Sequence, residues 1–270
     1  MKQCEMSSVL APIPTKFLCW TIFVGAIHGC LIVWVALLRC AEGCGDAALA
    51  FGAPYVSGKD SLNNEFTGAD GQKHSIPGTI LITALGIVPD TNATTHSTIY
   101  AAGVALYLLG ETRDELGGSA LVHHLKTSSS QVPKPTEHAL VTARAVHQSL
   151  RAGLVSACHD CSEGGLAIAL AEMIMDSDVG LTVNLAMAPT KSDVSELSLL
   201  FSESLSRYLV AVQPVHEAAF LAQVSGLPHA RIGESNTAGT LEIIGQSGAR
   251  YQWRNAHLFQ SHHSNPKFLP

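Results

Sequence analysis

The feature that most constrains the fold is a short apolar strand that leads directly into a glycine-containing turn and then a helix. Leu154–Cys158 has the character of a buried strand, and the turn 159–165 (HDCSEGG) follows it at once. Residues 166–175 then have the composition of a helix. This order predicts a layered fold in which the helix packs back onto a sheet.

The same turn has the residue types of a phosphate site. A helix N-terminus carries unpaired amides and a partial positive charge, both of which favour an anion. Asp160 can hold Mg²⁺ there, and Ser162 can donate to a substrate oxygen. A structural interpretation stays open, in which His159 is a core histidine, Ser162 or Glu163 caps the helix and the glycines serve packing.

A second polar turn lies at residues 57–61 (SGKDS). Gly58 permits close backbone approach, and Lys59, Asp60 and Ser61 present a cation, a carboxylate and a hydroxyl. Such a turn suits a phosphate or a metal-bound nucleotide. The pattern differs from a P-loop, and alone it is more typical of an ordinary loop, but the continuation LNNEF at 62–66 makes it more specific.

The rest of the chain alternates helical and extended patterns, which predicts an α+β fold built of α/β layers. Residues 41–51 have helical spacing, and Gly52 and Pro54 end that helix. Further predicted elements are two strands at 79–88 and 101–109, a helix at 137–152, a strand at 208–212 and a short helix at 217–224.

Charge and cysteine content exclude some classes of protein. The formal net charge is −6 and the 16 Lys and Arg residues are scattered, so we expect no nucleic-acid partner. Seven cysteines, an odd number without regular spacing, predict reduced thiols in a cytoplasmic protein with an unglycosylated Asn92. Cys158 and Cys161 form a C-x-x-C pair, but a zinc or redox role would need further partners, so we expect buried thiols.

The amino-terminal region contains 22 nearly unbroken apolar residues, Phe17–Leu38. That length is sufficient to span a bilayer. A membrane anchor, an uncleaved signal, a buried segment and a mis-joined sequence end are the alternatives, and we do not expect a membrane because the sequence after Ala41 resembles a soluble enzyme.

Five motifs occur in order along residues 41–245, about three quarters of the chain: SGKDSLNNEF, ALGIVPD, LYLLGETRDELGGS, CHDCSEGGLAIALAEM and LFSESLSRYLVAV. Together they resemble the carboxy-terminal half of phosphoribosylformylglycinamidine synthase. Other members of the same ATP-using superfamily, such as aminoimidazole ribonucleotide synthase, match less well, because the chain contains both KDSLNNE and HDCSEGG. The resemblance implies an AIR synthase-like (PurM-like) fold.

The resemblance also implies a ligase that forms a carbon–nitrogen bond with glutamine as amide donor. ATP and Mg²⁺ would serve the amidation of formylglycinamide ribonucleotide in purine biosynthesis. Matched to the family's motifs, Gly58 and Lys59 would bind the nucleotide, Ser61 and Ser162 the substrate, and Asp160 the metal. No residue is assigned as catalytic.

The sequence departs from that family in three respects. Nothing in it resembles the preceding synthetase half with its catalytic histidine, no glutaminase domain follows Pro270, and the apolar segment is foreign to the family. We therefore expect the missing half and a glutaminase domain or subunit as partners. We also expect residues 1–38 not to supply the strands that the first domain needs.

The expected organisation is a divergent segment at 1–40, a partial ATP-site domain at 41–100, a more complete α/β sandwich domain at 101–245 and an irregular tail at 246–270. Two functions other than the ligase stay open. One is a non-catalytic fragment that keeps the fold and an auxiliary nucleotide site, and the other is a membrane-tethered interaction protein.

Overall fold

The computed structural model describes residues 18–24, 31–88, 90–91 and 94–264, with residues 18–24 and 31–33 described by their backbone alone. The chain divides into two compact units, Met1–Pro89 and Asp90–Pro270. Residues 1–17 and 25–30 of the apolar amino-terminal region, Asn92, and the tail from 265 onward lie outside the described residues.

The first unit is built on a three-stranded sheet. Its elements are β1 (Leu18–Val24), α1 (Leu31–Phe51), β2 (Tyr55–Ser61), β3 (Glu65–Thr67), β4 (Lys73–Ser75) and β5 (Thr79–Leu85). Strand β1 lies in the middle, parallel to β2 and antiparallel to β5. A parallel pair needs a long crossover, and α1 provides it. Strands β3 and β4 form a separate hairpin.

Strand β1 corrects our expectation for residues 1–38. We predicted that they could not supply strands to the first domain, yet Leu18–Val24 is the central strand of its sheet. The helix expected at 41–51 ends at Phe51 as predicted, but it begins at Leu31, since apolar helix formers continue upstream. Across the described part of the chain, no helix is long and apolar enough to cross a membrane.

The second unit contains a seven-stranded sheet. Its strands are β6 (Ala105–Leu109), β7 (Ala157–Asp160), β8 (Gly180–Asn184), β9 (Tyr208–Val212), β10 (His229–Asn236), β11 (Thr240–Ile244) and β12 (Arg250–Arg254). They lie in the order β12-β11-β8-β10-β6-β9-β7, and all pairs are antiparallel except β11 with β8. Every residue of β6 and β9 is buried, as their continuous apolar runs predict.

The helices of this unit are α2 (Ala120–His124), α3 (Ala139–Arg151), α4 (Gly165–Glu172), α5 (Glu196–Phe201), α6 (Glu217–Gln223) and α7 (Asn255–His263). One hydrophobic core joins the sheet to α4 through fully buried side chains such as Leu166, Leu170 and Leu181. The tail that we expected to be irregular instead contains β12 and α7. Antiparallel pairing with β11 orders β12, and Asn255 donates to the carbonyls of Ile174, Ser177 and Val179.

Helix α4 lies close to the chain that leaves α5. A Cβ atom added to Gly165 would lie 2.5 Å from the carbonyl oxygen of Ser202 and 2.8 Å from that of Leu200. The φ angle of Gly165 is +66°, a conformation that favours glycine. The second glycine of the turn is therefore required both by its backbone angle and by close packing.

We predict that Gly165→Ala destabilises the chain more than Gly153→Ala does. Gly153 has a similar φ of +68° but open space at its Cβ position, so it isolates the cost of the backbone angle. The backbone angle should cost roughly 1–2 kcal/mol at both sites, and crowding should add about 1–3 kcal/mol at Gly165. Chemical unfolding of the two variants measures the difference, and equal losses would contradict the packing argument.

Candidate functional site

A buried polar loop connects α5 to β9 and forms the centre of the second unit. Ser202, Glu203, Ser204, Ser206 and Arg207 are each at most 5% exposed. Charged side chains are rarely buried unless they are paired, because removing them from water is costly. The bonds made by Glu203 and Arg207 therefore define what this loop does.

Arg207 uses all three of its side-chain nitrogens. Its Nε donates to the Ser204 carbonyl at 3.1 Å, Nη1 donates to the Thr112 hydroxyl at 2.9 Å, and Nη2 donates to the Ser202 carbonyl. Burial lowers the pKa of Arg207, although a guanidinium keeps its proton in proteins. The charged group thus fixes both its own loop and the segment after β6.

Glu203 bonds two helix starts with one oxygen. Its Oε1 accepts from the amide of Gly164 at 2.9 Å and from the amide of Ala120 at 2.9 Å. Gly164 is the N-cap of α4, and Ala120 is the first residue of α2. A carboxylate is stabilised by the partial positive charge at a helix N-terminus. The side chain of Glu203 therefore occupies the position that an external anion would take.

This contact corrects the interpretation of the HDCSEGG turn. We predicted that the amides at its end would be available to a phosphate, but the Gly164 amide is bound by Glu203, and that of Gly165 donates to the Ser162 carbonyl at 3.1 Å. The reason is a long-range one, since Glu203 lies 39 residues further along the chain. The close packing of both glycines supports the structural interpretation of these two residues, while the roles of Asp160 and Ser162 stay predictions.

The polar side chains of the turn lie at the end of β7. Asp160 is the last residue of that strand, paired with Tyr208 of β9, and its side chain is 15% exposed. His159 Nδ1 lies 2.8 Å from the Asp160 carbonyl oxygen and 3.6 Å from its Oδ1, and Nε2 lies 3.2 Å from Glu172 Oε2. Ser162 is partly exposed. Asp160 and Ser162 are thus both within reach of a ligand at this edge.

The electrostatics around His159 favour its protonated form. Burial by itself would lower the pKa of His159, but hydrogen bonds to Glu172 and to the Asp160 carbonyl, together with both carboxylates, outweigh burial and raise that pKa. The histidine therefore lies between two carboxylates that both stabilise its protonated form.

The described side chains offer few ligands for a permanently bound metal ion at this turn. Among the described residues, no group of three or more His, Cys, Asp or Glu side chains is arranged to hold a metal ion. Mg²⁺ often takes only one or two carboxylates and shares the phosphates of its nucleotide. The single carboxylate of Asp160 fits that mode of binding and does not fit a closed protein cage.

The other predicted residues lie in the first unit, on β2. Gly58 and Lys59 are exposed, and Ser61 is half-buried. Lys59 Nζ donates to the Ser61 hydroxyl and to the Asp60 carbonyl, both at 2.6 Å, and Asn64 donates to the Ser61 carbonyl at 2.8 Å. The segment is an exposed strand end whose ammonium group is held beside its hydroxyl.

The C-x-x-C pair behaves as expected for structural thiols. Burial raises the pKa of Cys158 to about 12 and that of Cys161 to about 11. Both sulfurs stay protonated at neutral pH, which makes them poor nucleophiles and poor metal ligands.

Sequence reasoning missed the partners of Glu203 and Arg207. Their signal was present in the run SESLSR, where an acid and a base stand between an apolar helix and an apolar strand. That pattern indicates buried charges, but it does not show which distant amides and hydroxyls bind them.

Comparisons with known proteins give a consistent result. The model of the family described as AIR synthase related protein, C-terminal domain, matches residues 101–246. The phosphoribosylformylglycinamidine synthase subunit PurL of Anaeromyxobacter dehalogenans strain 2CP-C is 37% identical over 216 residues, which cover 75% of this chain and 27% of that protein. The chain thus spans less than a third of the length of this curated relative.

Two solved structures of Thermotoga maritima PurL also resemble the chain. The complex with FGAR superposes with a TM-score of 0.73 at 17% identity, covering 94% of this chain and 40% of that one. The complex with ATP gives a TM-score of 0.65 at 16% identity, covering 94% and 39%. At these identities the likeness establishes the fold alone.

We predict that Glu203→Ala strongly destabilises the second unit, whereas Glu203→Gln is tolerated better. Alanine leaves one buried and one partly buried amide unpaired, and two bonds to a charged acceptor are worth about 3–6 kcal/mol together. Glutamine keeps an oxygen for both amides, although it loses the charge and carries an NH₂ group in place of the second oxygen. Thermal and chemical unfolding measure both variants, and an alanine variant as stable as the glutamine variant would refute this role.

We predict that His159 contributes stability at acidic pH that is lost as the pH rises. Its folded pKa is raised above the ordinary value of 6.5, so the contribution is complete below about pH 6.5 and disappears as the pH passes through the raised pKa. Glu172→Gln should lower that pKa, while Glu163→Gln, at an exposed site, should not. Titration of the His159 ring protons by NMR tests this, and an unchanged pKa in the Glu172 variant would exclude the ion pair as the cause.

Proposed function

The chain belongs to the family of AIR synthase related proteins, and on that premise we propose that it is part of a phosphoribosylformylglycinamidine synthase. The family match confirms the AIR synthase-like α+β fold predicted from sequence, and the similarity to PurL confirms the resemblance carried by the five motifs. The observation that carries the proposal is the 37% identity over three quarters of the chain.

The proposed activity is the ATP-dependent amidation of formylglycinamide ribonucleotide to the amidine, in purine biosynthesis in the cytoplasm. ATP phosphorylates the amide oxygen, and ammonia derived from glutamine displaces the phosphate. Mg²⁺ supplies charge stabilisation for the transferring phosphoryl oxygens when it is bound. The FGAR and ATP complexes of Thermotoga maritima PurL support these substrates.

Within that proposal, Gly58 and Lys59 would bind the nucleotide, Ser61 and Ser162 would bind substrate, and Asp160 would hold Mg²⁺. The exposure of Gly58 and Lys59 supports the first role, since the exposed ammonium group can exchange its bonds to Ser61 and the Asp60 carbonyl for bonds to a phosphate. The partial exposure of Ser162 and Asp160 at the end of β7 supports the others.

Further parts of the enzyme are the proposed partners, namely the other synthetase half and a glutaminase domain or subunit. The surface of the first unit supports this, because large apolar side chains are exposed on both α1 and the sheet. Examples are Trp34 at 54%, Leu49 at 84% and Leu81 at 49% exposure. Such surfaces usually mark an interface with another protein surface.

A second candidate function is a non-catalytic fragment that keeps the fold and an auxiliary nucleotide site. One observation favours it. The helix terminus next to the HDCSEGG turn is closed by Glu203, so one expected phosphate contact is absent. Weak nucleotide binding without dependence on Asp160 or Lys59 would point to this alternative.

We predict that the full chain binds Mg²⁺-ATP or Mg²⁺-ADP with micromolar affinity in isothermal titration calorimetry. Asp160→Ala and Lys59→Ala should each weaken binding about tenfold, the typical value of one bond to a charged ligand. Asp193→Ala, which removes an exposed carboxylate from the same unit as Asp160, should bind as the parent does.

Circular dichroism on each sample shows whether it is folded, so a folding failure is not mistaken for lost binding. A folded parent chain that gives no binding heat with either nucleotide would overturn the proposed nucleotide site.

A further inference from the structure

Strand β12 is the last strand at one edge of the seven-stranded sheet. It pairs with β11 on one side, and no other described strand pairs with it. Each of its residues is exposed. The unpaired backbone groups of such an edge can accept a further strand from another chain.

The hydrogen bonds at the two ends of β12 show which backbone groups face the open edge. Before the strand, the Gly245 amide donates to the Ala249 carbonyl at 2.8 Å. After it, the Asn255 amide donates to the Gly239 carbonyl at 3.1 Å. Bonded and non-bonded pairs alternate along an antiparallel ladder, so the odd-numbered residues of β12 bond β11. The even-numbered residues therefore direct their backbone to the open edge.

The open edge thus carries both donors and acceptors. The donors are the amides of Arg250, Gln252 and Arg254, and the acceptors are the carbonyls of Arg250 and Gln252. None of these groups bonds the backbone of another segment in the described residues. An added antiparallel strand can bond all of them at once.

The core face of the sheet ends at two exposed aromatic rings of β12. Tyr251 lies opposite Ile243, and Trp253 lies opposite Leu241. The two β11 residues are each 2% exposed, but Tyr251 is 40% and Trp253 42% exposed. The rings are stacked with their centroids 6.4 Å apart, and the Tyr251 hydroxyl donates to Glu196 Oε1 at 2.8 Å. Apolar side chains of an added strand would pack against these two rings.

The other face of β12 is positively charged at both ends. Arg250 and Arg254 alternate with the rings and so lie on the opposite face. Arg250 Nη1 donates to Glu242 Oε1 at 2.7 Å, while the Arg254 guanidinium has no hydrogen bond or ion pair within the described ranges. Antiparallel pairing of β12 over its full length with a second copy would place arginine opposite arginine at both ends, which is destabilising. The charges therefore favour an acidic partner over a second copy.

We propose that the open edge of β12 binds an extended segment of another protein as an added antiparallel strand, and that this segment alternates acidic and apolar residues. Its backbone bonds the outward amides and carbonyls of β12. Its apolar side chains cover Tyr251 and Trp253, and its acidic side chains lie opposite Arg250 and Arg254. The proposal does not rest on the synthase activity, because β12 contains none of the proposed nucleotide, substrate or metal residues.

The test uses synthetic peptides and the full chain. The first peptide contains the sequence Glu-Val-Thr-Val-Glu, and a second has lysine in place of both glutamates. Two further acidic peptides each carry one N-methyl group. One has it on the threonine amide, which faces β12 in the proposed pairing, and the other has it on the amide of the next valine, which faces away. Calorimetry measures the affinities, and NMR-detected hydrogen exchange follows the amides of β12.

Hydrogen exchange should show the two edges of the strand separately. In the free chain the amides of Arg250, Gln252 and Arg254 should exchange quickly, while β11 protects those of Tyr251 and Trp253. Saturation with the acidic peptide should slow exchange of the first three about tenfold and leave the other two unchanged.

The affinities should depend on charge and on one backbone amide. The acidic peptide should bind about threefold more tightly than the lysine peptide, the usual effect of opposite charges across a strand pair. Methylation of the threonine amide should weaken binding about tenfold because it removes a bond to β12, and methylation of the valine amide should not.

A charge reversal on the protein provides the matched control. Arg254→Glu should make the chain prefer the lysine peptide to the acidic one. Arg144→Glu, at an exposed arginine of α3, should keep the preference of the parent. Circular dichroism shows that both variants are folded.

Three results would overturn the proposal. The first is a folded parent chain that does not bind the acidic peptide. The second is slow exchange of the amides of Arg250 and Gln252 without peptide, which would mean that the edge is already covered, and sedimentation would show whether a second copy covers it. The third is equal binding of the two methylated peptides, since strand addition distinguishes the two amides.

Discussion

The second unit depends on two charges that are buried in a single loop. Glu203 joins that loop to the starts of α2 and α4, 83 and 39 residues away in the chain. Arg207 joins it to Thr112, 95 residues away. Breaking a buried, fully bonded charge is costly because the partners lose their bonds and remain buried. These bonds therefore fix where β6 ends and where two helices begin, and the edge that carries Asp160 and Ser162 follows from them.

Much of this unit could be predicted from local patterns. The apolar runs at 101–109 and 208–212 predicted two interior strands, the first of which begins four residues later than predicted, at Ala105. The helical spacing of residues 137–152 predicted α3 to within two residues at each end. The five motifs predicted the family. What they could not predict is which donor meets which acceptor, since Glu203 and Gly164 belong to different motifs and meet only after the sheet has formed. The availability of the Gly164 amide could not be predicted for that reason.

The first unit shows a different limit of sequence reasoning. For residues 17–38, hydropathy alone does not distinguish one membrane-spanning helix from a strand followed by a second helix, because both are uniformly apolar. The strand ends at Val24 and the helix begins at Leu31, and the pairing of β1 with both β2 and β5 decides between the two. That pairing involves residues more than 30 positions apart, so no window of the sequence contains it.

Helices α3 and α4 differ in how the amides at their N-termini are bonded. Both α3 and α4 present amides and a positive end, and the same physics requires an acceptor for each. In α4 a carboxylate from the fold supplies it, so the terminus that carries the recognisable motif has no capacity left for a phosphate at its N-cap amide. In α3 the acceptors are local, since the hydroxyl and the carbonyl of Thr136 accept from the amides of His138 and Ala139. The acceptors of α3 therefore lie within three residues of the helix start, whereas that of α4 lies 39 residues further along the chain and only the folded sheet brings it into place.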